Sequence, residues 1–315
     1  MLGVRKTVGK AMKKKRRDKG LLPCDVRPNL HVPHAVLDRY GNDTSSKITY
    51  RLNAAGYRSE ELNPDARYKI FLIGESHALG VGVAFDETFG QRFKAHLSAA
   101  LNIAPADINL LNFSAGGVSA DYCLRTLVRQ IEAVRPDLVL INLPTEDRVE
   151  TFAGRNKPVN YNLSGIDLEK LDEAPDSLLG FVDFYKPQFG RMNLVKNALM
   201  LQSICKEYGT EWLICSHVLW PAAFHGPVLT PLYRQLDTNH LVLQEILQAR
   251  PDLAADEQHA GPRAHEALAI ALLDRFAEIT GEAGDTGWTE PLGAYVHGLK
   301  STSPDWDFVR KRLGA

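Results

Sequence analysis

The feature that most constrains the fold is a regular alternation, from residue 68 onward, of short apolar runs with longer stretches of helical periodicity. A buried strand is typically an apolar run of about four to eight residues bounded by turn signals, whereas a helix repeats apolar residues every three to four positions. Strands that alternate with helices build βαβ units, in which a mainly parallel sheet is covered by helices on both faces. The predicted strands are Tyr68 to Ile73, Ile108 to Phe113, Leu138 to Ile141 and Trp212 to Cys215. The predicted helices are Thr88 to Leu101, Ala120 to Val134, Leu194 to Tyr208, and residues 231–249 and 263–280.

The composition is that of a soluble globular chain, because 44% of the 315 residues are hydrophobic and 24% are charged. The net charge of −1 excludes a molecule built around nucleic acid, so no specific nucleic-acid partner is expected. No apolar stretch reaches the roughly 18 residues that span a bilayer, and the basic N-terminus lacks the apolar core of a secretory signal. None of the four cysteines stands in a C-x-x-C pair. We therefore expect a cytoplasmic protein.

The regular domain is flanked by less regular segments. The first twenty residues carry a net charge of +8, which favours a flexible basic arm, with weak contact to an anionic surface as the alternative. Ile48–Leu52 alternates like an edge strand, and Asn53–Tyr57 is typical of a turn. The predicted divisions are a basic arm at 1–22, an extension packed on the core at 23–67, a core domain at 68–280 with an inserted candidate lid at 151–186, and a C-terminal tail at 281–315.

Two distant segments supply the parts of a nucleophilic relay. Ser76 directly follows the first predicted strand, at the sheet edge where ligands bind in parallel folds. A serine hydroxyl needs a base, for which His259 is the candidate, and Asp256 can fix the tautomer of that histidine. Each segment alone also fits a plainer interpretation, a helix-capping serine and an Asp-capped loop with an incidental histidine. His265 is a weaker rival base.

Backbone N–H groups near the nucleophile can hold the negative charge of a transition state. The N–H of Ser76 opens a predicted helix, and Gly117 follows the second strand in a loop where glycine leaves its N–H unobstructed. An ordinary turn after the strand is the alternative interpretation of Gly117.

In this order, the segments resemble the blocks of the SGNH hydrolases, also called GDSL-type esterases and lipases. Gly74-Glu75-Ser76 stands where Gly-Asp-Ser is usual, Gly117 matches the oxyanion glycine, and Asp256 with His259 matches the Asp-x-x-His block. The resemblance covers about residues 50–280. It also includes Ala260 where proline is frequent, His265 and Ala269 in the continuation, and a lead-in at Asn53, Gly56, Tyr57 and Arg58.

The resemblance implies a three-layer α/β/α sandwich with a mainly parallel, flavodoxin-like sheet. It implies a catalytic triad of Ser76, His259 and Asp256, with an oxyanion hole at Ser76 and Gly117. It implies neither a cofactor nor a metal, and the residues themselves indicate no metal site either.

One block departs from the family pattern. An asparagine that donates to the oxyanion normally follows the third strand, but alignment of that strand puts Glu146 at this position. An ionised carboxylate has no proton to donate. Three explanations for the missing oxyanion donor are possible. Glu146 is protonated by burial, or the donor is supplied by Asn142, Thr145 or Arg148, or the loop instead binds a cationic group of the substrate.

The leading hypothesis is therefore a serine esterase or acyl hydrolase that removes a short acyl group, possibly acetyl, from a sugar or small metabolite through an acyl-Ser76 intermediate. An acyltransferase that uses the same triad is the second hypothesis. The third is a catalytically inactive binding protein of the same fold, in which Glu146 marks a decayed oxyanion hole.

Overall fold

Among the residues that the structure describes, five parallel strands form the central sheet. The computed structural model describes residues 20–25, 48, 50–153, 157–162, 185–216, 219, 221–243, 251–282 and 289–303. Its strands are β1 (Tyr68–Gly74), β2 (Ile108–Asn112), β3 (Leu138–Asn142), β4 (Arg148–Ala153), β5 (Lys157–Asn162), β6 (Glu211–Ser216) and β7 (Leu241–Leu243). The sheet has the order β2-β1-β3-β6-β7, whereas β4 and β5 pair with each other as an antiparallel hairpin. This order is the flavodoxin-like one that the family resemblance implies.

Strand β1 lies between β2 and β3, so the strand order reverses there. Its Leu72 pairs with Asn112 of β2, and its last residue, Gly74, pairs with Asn142 of β3. Ligands bind in parallel sheets beyond the carboxyl ends of the strands at such a reversal. The topology therefore directs attention to the residues that follow β1.

Helices cover both faces of the sheet, which confirms the predicted three-layer arrangement. They are α1 (Ser76–Leu79), α2 (Phe89–Leu101), α3 (Ala120–Val134), α4 (Pro187–Tyr208), α5 (Leu229–Tyr233), α6 (Pro262–Glu282) and α7 (Thr289–Thr302). Side chains of α3 and α4 pack on one face, against Phe71 and Ile73 of β1. Side chains of α2 and α6 pack on the other face, against Ile70 and Leu72. Because β1 is covered on both sides, its residues form the continuous apolar run that the sequence shows.

Two sequence predictions about local structure are wrong. The helix predicted over 231–249 is replaced in its described part by the end of α5, a 3₁₀ turn at Thr238–His240 and strand β7. The edge strand predicted at Ile48–Leu52 is absent, since Tyr50 to Leu52 form no strand. Tyr50 is instead buried, and its hydroxyl accepts a hydrogen bond from the Gly82 N–H at 2.6 Å. The apolar Tyr50 in this alternating segment is therefore explained by contact with the Gly82 loop rather than by a sheet.

Other segments flank the core domain. In the region predicted as an insertion, 151–186, the structure describes the hairpin, residues 185–186 and nothing between 163 and 184. Most of the basic arm, residues 1–19, also lies outside the described residues. Tyr295 and Leu299 of α7 pack on the cluster formed by α2 and α6. Within the described ranges, no helix is long and apolar enough to cross a membrane.

Candidate active site

The turn after β1 is formed by close packing and by a carboxylate cap. A Cβ atom on Gly74 would lie 2.6 Å from both Cβ and the carbonyl oxygen of Asn142, so only glycine fits at the end of the strand. Glu75 then caps α1, because its Oε2 accepts from the Ser76 N–H at 2.8 Å and its Oε1 from the His77 N–H at 3.1 Å. This local geometry places Ser76 at the carboxyl edge of the sheet, as predicted.

The Glu75 carboxylate also binds three side chains. Oε2 accepts the Ser76 hydroxyl at 2.5 Å and contacts Nη1 of Arg148 at 3.2 Å, while Oε1 lies 2.5 Å from Nδ1 of His77. Burial by itself raises the pKa of Glu75, but the charges of His77 and Arg148 and the hydrogen bonds of His77 and Ser76 outweigh it. The pKa of Glu75 consequently lies well below its ordinary value, so this carboxylate is a poor proton acceptor.

Asp256 and His259 form a second carboxylate–imidazole pair. Nδ1 of His259 lies 2.5 Å from Oδ2 of Asp256, and Oδ1 accepts from the backbone N–H groups of Gln258 and His259. Burial raises the pKa of Asp256, but the hydrogen bonds from His259 and Gln258 exceed this effect, so its pKa is lowered. An ionised Asp256 can hold the His259 tautomer with Nε2 available for proton transfer.

The two segments meet in the structure. The rings of His77 and His259 contact each other edge to face, with their centroids 5.3 Å apart. The Ala255 N–H donates to the carbonyl of Gly82 at 2.9 Å, which ties the loop before His259 to the loop after α1. The distant segments that the sequence pairs are therefore neighbours. The resting Ser76 hydroxyl, however, donates to Glu75 rather than to His259.

Arg58, from the lead-in segment, fixes the loop after α1. Its side chain is 2% exposed, and it donates to the carbonyls of Leu79, Gly80 and Val83 at 2.9, 2.5 and 2.7 Å. The guanidinium also lies 3.8 Å from the centre of the Tyr50 ring. Burial lowers the pKa of Arg58 to about 10, an effect that nearby Tyr50 opposes. Arg58 thus holds the loop that directly follows the segment of Ser76.

The loop that carries Gly117 is attached to the end of β1. The Ala115 N–H donates to the carbonyl of Gly74 at 3.1 Å, and Gly117 has φ +72°, a conformation that favours glycine. The Ser76 N–H, the other predicted oxyanion donor, is engaged by its neighbour Glu75.

The four residues predicted around the third strand lie in different environments. The Glu146 side chain is a quarter exposed, so it is not buried. Its Oε1 lies 3.6 Å from Nε of Arg191, so its carboxylate already has a cationic partner within this chain. Thr145 accepts from the Arg148 N–H through its carbonyl at 3.3 Å. Asn142 is fully buried beside Gly74, with both side-chain polar atoms unpaired among the described residues. Arg148 is the residue of this set that hydrogen-bonds the Glu75 carboxylate, and its buried Nε has no partner in the described ranges.

His265, the rival base, occupies a structural position. It is fully buried, and its Nδ1 accepts from the Phe89 N–H at 3.0 Å at the start of α2. Burial, together with the charges of His77, Arg58 and His259, lowers the pKa of His265 to about 3. A neutral imidazole committed to a helix N-terminus is unsuited to act as the base.

An apolar cavity of about 420 Å³ lies between the start of α4 and the segment before α5. Phe189, Met192, Pro227, Val228 and Leu229 are among its lining residues. Arg191 connects this region to the Glu146 loop, since it pairs with Glu146 and donates from Nη1 to the Ala223 carbonyl at 3.3 Å. The segment before α5 follows β6 and the Glu146 loop follows β3, so both lie beyond the carboxyl ends of their strands, the edge at which Ser76 follows β1.

Sequence reasoning missed the roles of Glu75 and His77. Glu75 was interpreted only as a replacement for the usual aspartate, and His77 was given no role. The available signal was the spacing Glu75-Ser76-His77, because a residue that caps a helix brings its carboxylate back onto the next two residues.

No family model matches the chain, and no curated protein matches it. Among solved structures, the chain is similar to the psychrotrophic esterase EstA from Pseudoalteromonas sp., at 17% identity and a TM-score of 0.42, over 68% of this chain and 98% of that one. It is similar to TesA at 16% identity and a TM-score of 0.41, over 66% and 97% of the two chains. It is also similar to a GDSL-like lipase from Parabacteroides merdae ATCC 43184, at 13% identity and a TM-score of 0.37, over 69% and 98%.

Proposed function

We propose that the protein is a serine ester hydrolase that works through an acyl-Ser76 intermediate. The observation that carries the proposal is the contact between the His77 ring, next to Ser76, and the ring of His259, whose Nδ1 is held by Asp256. This arrangement supplies a nucleophile, a base and a carboxylate that orients the base.

His259 is the base better suited to Ser76, although Glu75 holds the resting hydroxyl. The pKa of Glu75 is well below its ordinary value, whereas an imidazole is matched to proton transfer near neutral pH. In the proposed reaction the Ser76 proton passes to Nε2 of His259 as Oγ attacks the ester carbonyl. Glu75 holds the hydroxyl in place until then.

Arg148 and the Gly117 N–H are the proposed oxyanion donors. Arg148 reaches the carboxylate that binds the Ser76 hydroxyl and retains an unpaired, buried Nε–H. A guanidinium is always charged and offers several donors, so it can replace the usual asparagine amide. This choice leaves Glu146 free to act as the partner of Arg191.

The substrate that we propose is an ester of a short acyl group, acetyl or somewhat longer, on a sugar or small metabolite. The apolar cavity beside α4 supports a substrate with one apolar portion.

The test is hydrolysis of a panel of acetyl, butyryl and octanoyl esters by the purified full chain. We expect turnover that is lost in Ser76→Ala and reduced by about 10³-fold or more in His259→Gln. Ser203→Ala, a change on the exposed face of α4, is the matched control and keeps full activity. Turnover that persists in Ser76→Ala would contradict the proposal.

A further inference from the structure

His77 is held by a carboxylate in the same way as His259. Nδ1 of each ring lies 2.5 Å from a carboxylate oxygen, of Glu75 for His77 and of Asp256 for His259. Both carboxylates are buried, with side chains 2% and 0% exposed. A buried carboxylate on Nδ1 orients an imidazole and stabilises its protonated form, which is the arrangement of a catalytic histidine rather than of a surface one.

The rings of His77 and His259 contact each other, and each is held through Nδ1. Nδ1 of each is occupied, and within the described ranges Nε2 of neither ring has a hydrogen-bond partner. The side chains are partly open, 21% exposed for His77 and 22% for His259, and the rings touch. Two touching rings, one of them on the residue next to Ser76, thus each keep one nitrogen for proton transfer.

We propose that His77 is a second catalytic acid and base, which serves the leaving alcohol and the attacking water while His259 serves Ser76. The inference rests on the proposed function. One histidine usually performs both tasks in turn, and this site divides them between two.

The proton balance closes over one cycle. In acylation, the Ser76 proton moves to His259, the ester C–O bond breaks, and protonated His77 gives its proton to the departing alkoxide. In deacylation, neutral His77 takes a proton from the attacking water, the bond between the acyl carbon and Oγ breaks, and protonated His259 returns a proton to Oγ. The products are the alcohol and the carboxylic acid, and both histidines end in their starting states.

Glu75 places a buried negative charge against His77. The carboxylate is ionised and touches Nδ1 of His77, so a positive charge on that ring is paired. The other oxygen of the same carboxylate accepts a hydrogen bond from the Ser76 hydroxyl. His77 and Ser76, which are adjacent in the chain, are therefore bound by one group.

The experiment compares kcat/KM of His77→Asn with two acetate esters that differ in their alcohol. The asparagine amide can still donate to Glu75 from near the Nδ1 position but has no Nε2. With an alkyl acetate, whose alkoxide needs a proton to leave, we expect a loss of about 10²–10⁴-fold. With p-nitrophenyl acetate, whose phenolate leaves unaided, the loss is less than about tenfold.

Each outcome decides the inference. His297→Asn on the exposed face of α7 is the control and changes neither value. Equal losses of His77→Asn with both esters would assign His77 a structural role and overturn the proposal, as would no loss with either. If the wild-type protein hydrolyses neither ester, the proposed function fails first and this inference fails with it.

Discussion

At the scale of single residues, the site is organised by the Glu75 carboxylate. It accepts from two backbone N–H groups and from the Ser76 hydroxyl, and it contacts the His77 and Arg148 side chains. An ionised carboxylate has about four lone-pair positions, so these five contacts, three of them on Oε2, share the lone pairs of the two oxygens. Ser76, His77 and Arg148 are therefore fixed relative to each other by one buried group.

Arg148 gives the first prediction. If its guanidinium donates to the oxyanion, Arg148→Met should lower kcat for ester hydrolysis by about 10²–10³-fold with little change in KM, because the oxyanion exists only in the transition state. Arg148→Lys keeps the charge and should recover part of the rate. Arg275→Met, at an exposed ion pair on α6, serves as the control. A rise in KM with unchanged kcat would instead mean that Arg148 binds the ground-state substrate.

At the scale of secondary-structure elements, the site depends on loops that are tied to one another behind α1. Arg58 bonds three carbonyls of the loop that follows α1, and Gly82 in that loop contacts the segment before His259. A Cβ on Gly82 would lie 2.8 Å from Cβ of Ala254, which shows how closely the two loops approach.

The second prediction concerns the hydrogen bonds of Arg58 to the loop after α1, called here the Arg58 clamp. Arg58→Met leaves three buried carbonyls without their donor, so we expect the free energy of unfolding to fall by about 3 kcal/mol or more. Urea unfolding followed by circular dichroism measures the change, with Arg275→Met again as the control. An unchanged free energy would mean that water replaces the guanidinium and that the clamp contributes no stability.

The third prediction concerns the cavity between α4 and the segment before α5. If it holds the acyl chain of the substrate, Met192→Trp should lower kcat/KM for octanoyl esters by at least tenfold relative to acetyl esters, because the larger ring fills the space. The ratio of the two kcat/KM values is the measurement. A ratio that does not change would place the acyl chain elsewhere.

At the scale of the whole molecule, pH dependence of stability gives the fourth prediction. The pKa of His265 is about 3 in the folded protein, against an ordinary value near 6.5 in the unfolded chain. Below pH 6.5, His265 of the unfolded chain therefore binds a proton, whereas His265 of the folded protein stays neutral. The free energy of unfolding consequently falls as the pH falls. From pH 7 to pH 5 this single group should cost about 2 kcal/mol.

The matched variant for this prediction is His265→Asn, which retains an acceptor for the Phe89 N–H but does not titrate in this range. The free energy of unfolding should change less between pH 7 and pH 5 in the variant than in the wild type. The lowered pKa values of Glu75 and Asp256 act at lower pH, since their stabilisation is lost as the pH falls below the ordinary carboxylate range. Equal pH dependence in both proteins would contradict the role given to His265.

The fold class and the strands β1, β2, β3 and β6 could be predicted from the sequence, because these strands are apolar runs buried on both faces, whereas the flavodoxin-like strand order is implied by the family resemblance. Strand β7 could not, since three residues carry too little pattern to outweigh the helical spacing around them. Ser76, Asp256 and His259 were predicted from motif order. The contacts of Glu75 with Ser76 and His77 follow from a helix cap whose spacing the sequence contains, whereas the contact of Glu75 with Arg148 depends on how the chain returns after β3, which no spacing in the sequence encodes.

The central claim is that Ser76 is an activated nucleophile, and intact-protein mass after exposure to a fluorophosphonate probe tests it most directly. The probe needs no knowledge of the natural substrate, since it reacts with an activated serine. We predict one adduct per chain that maps to Ser76, disappears in Ser76→Ala and remains in Ser203→Ala. A folded wild-type protein that gains no adduct, or gains one at another residue, would contradict the account.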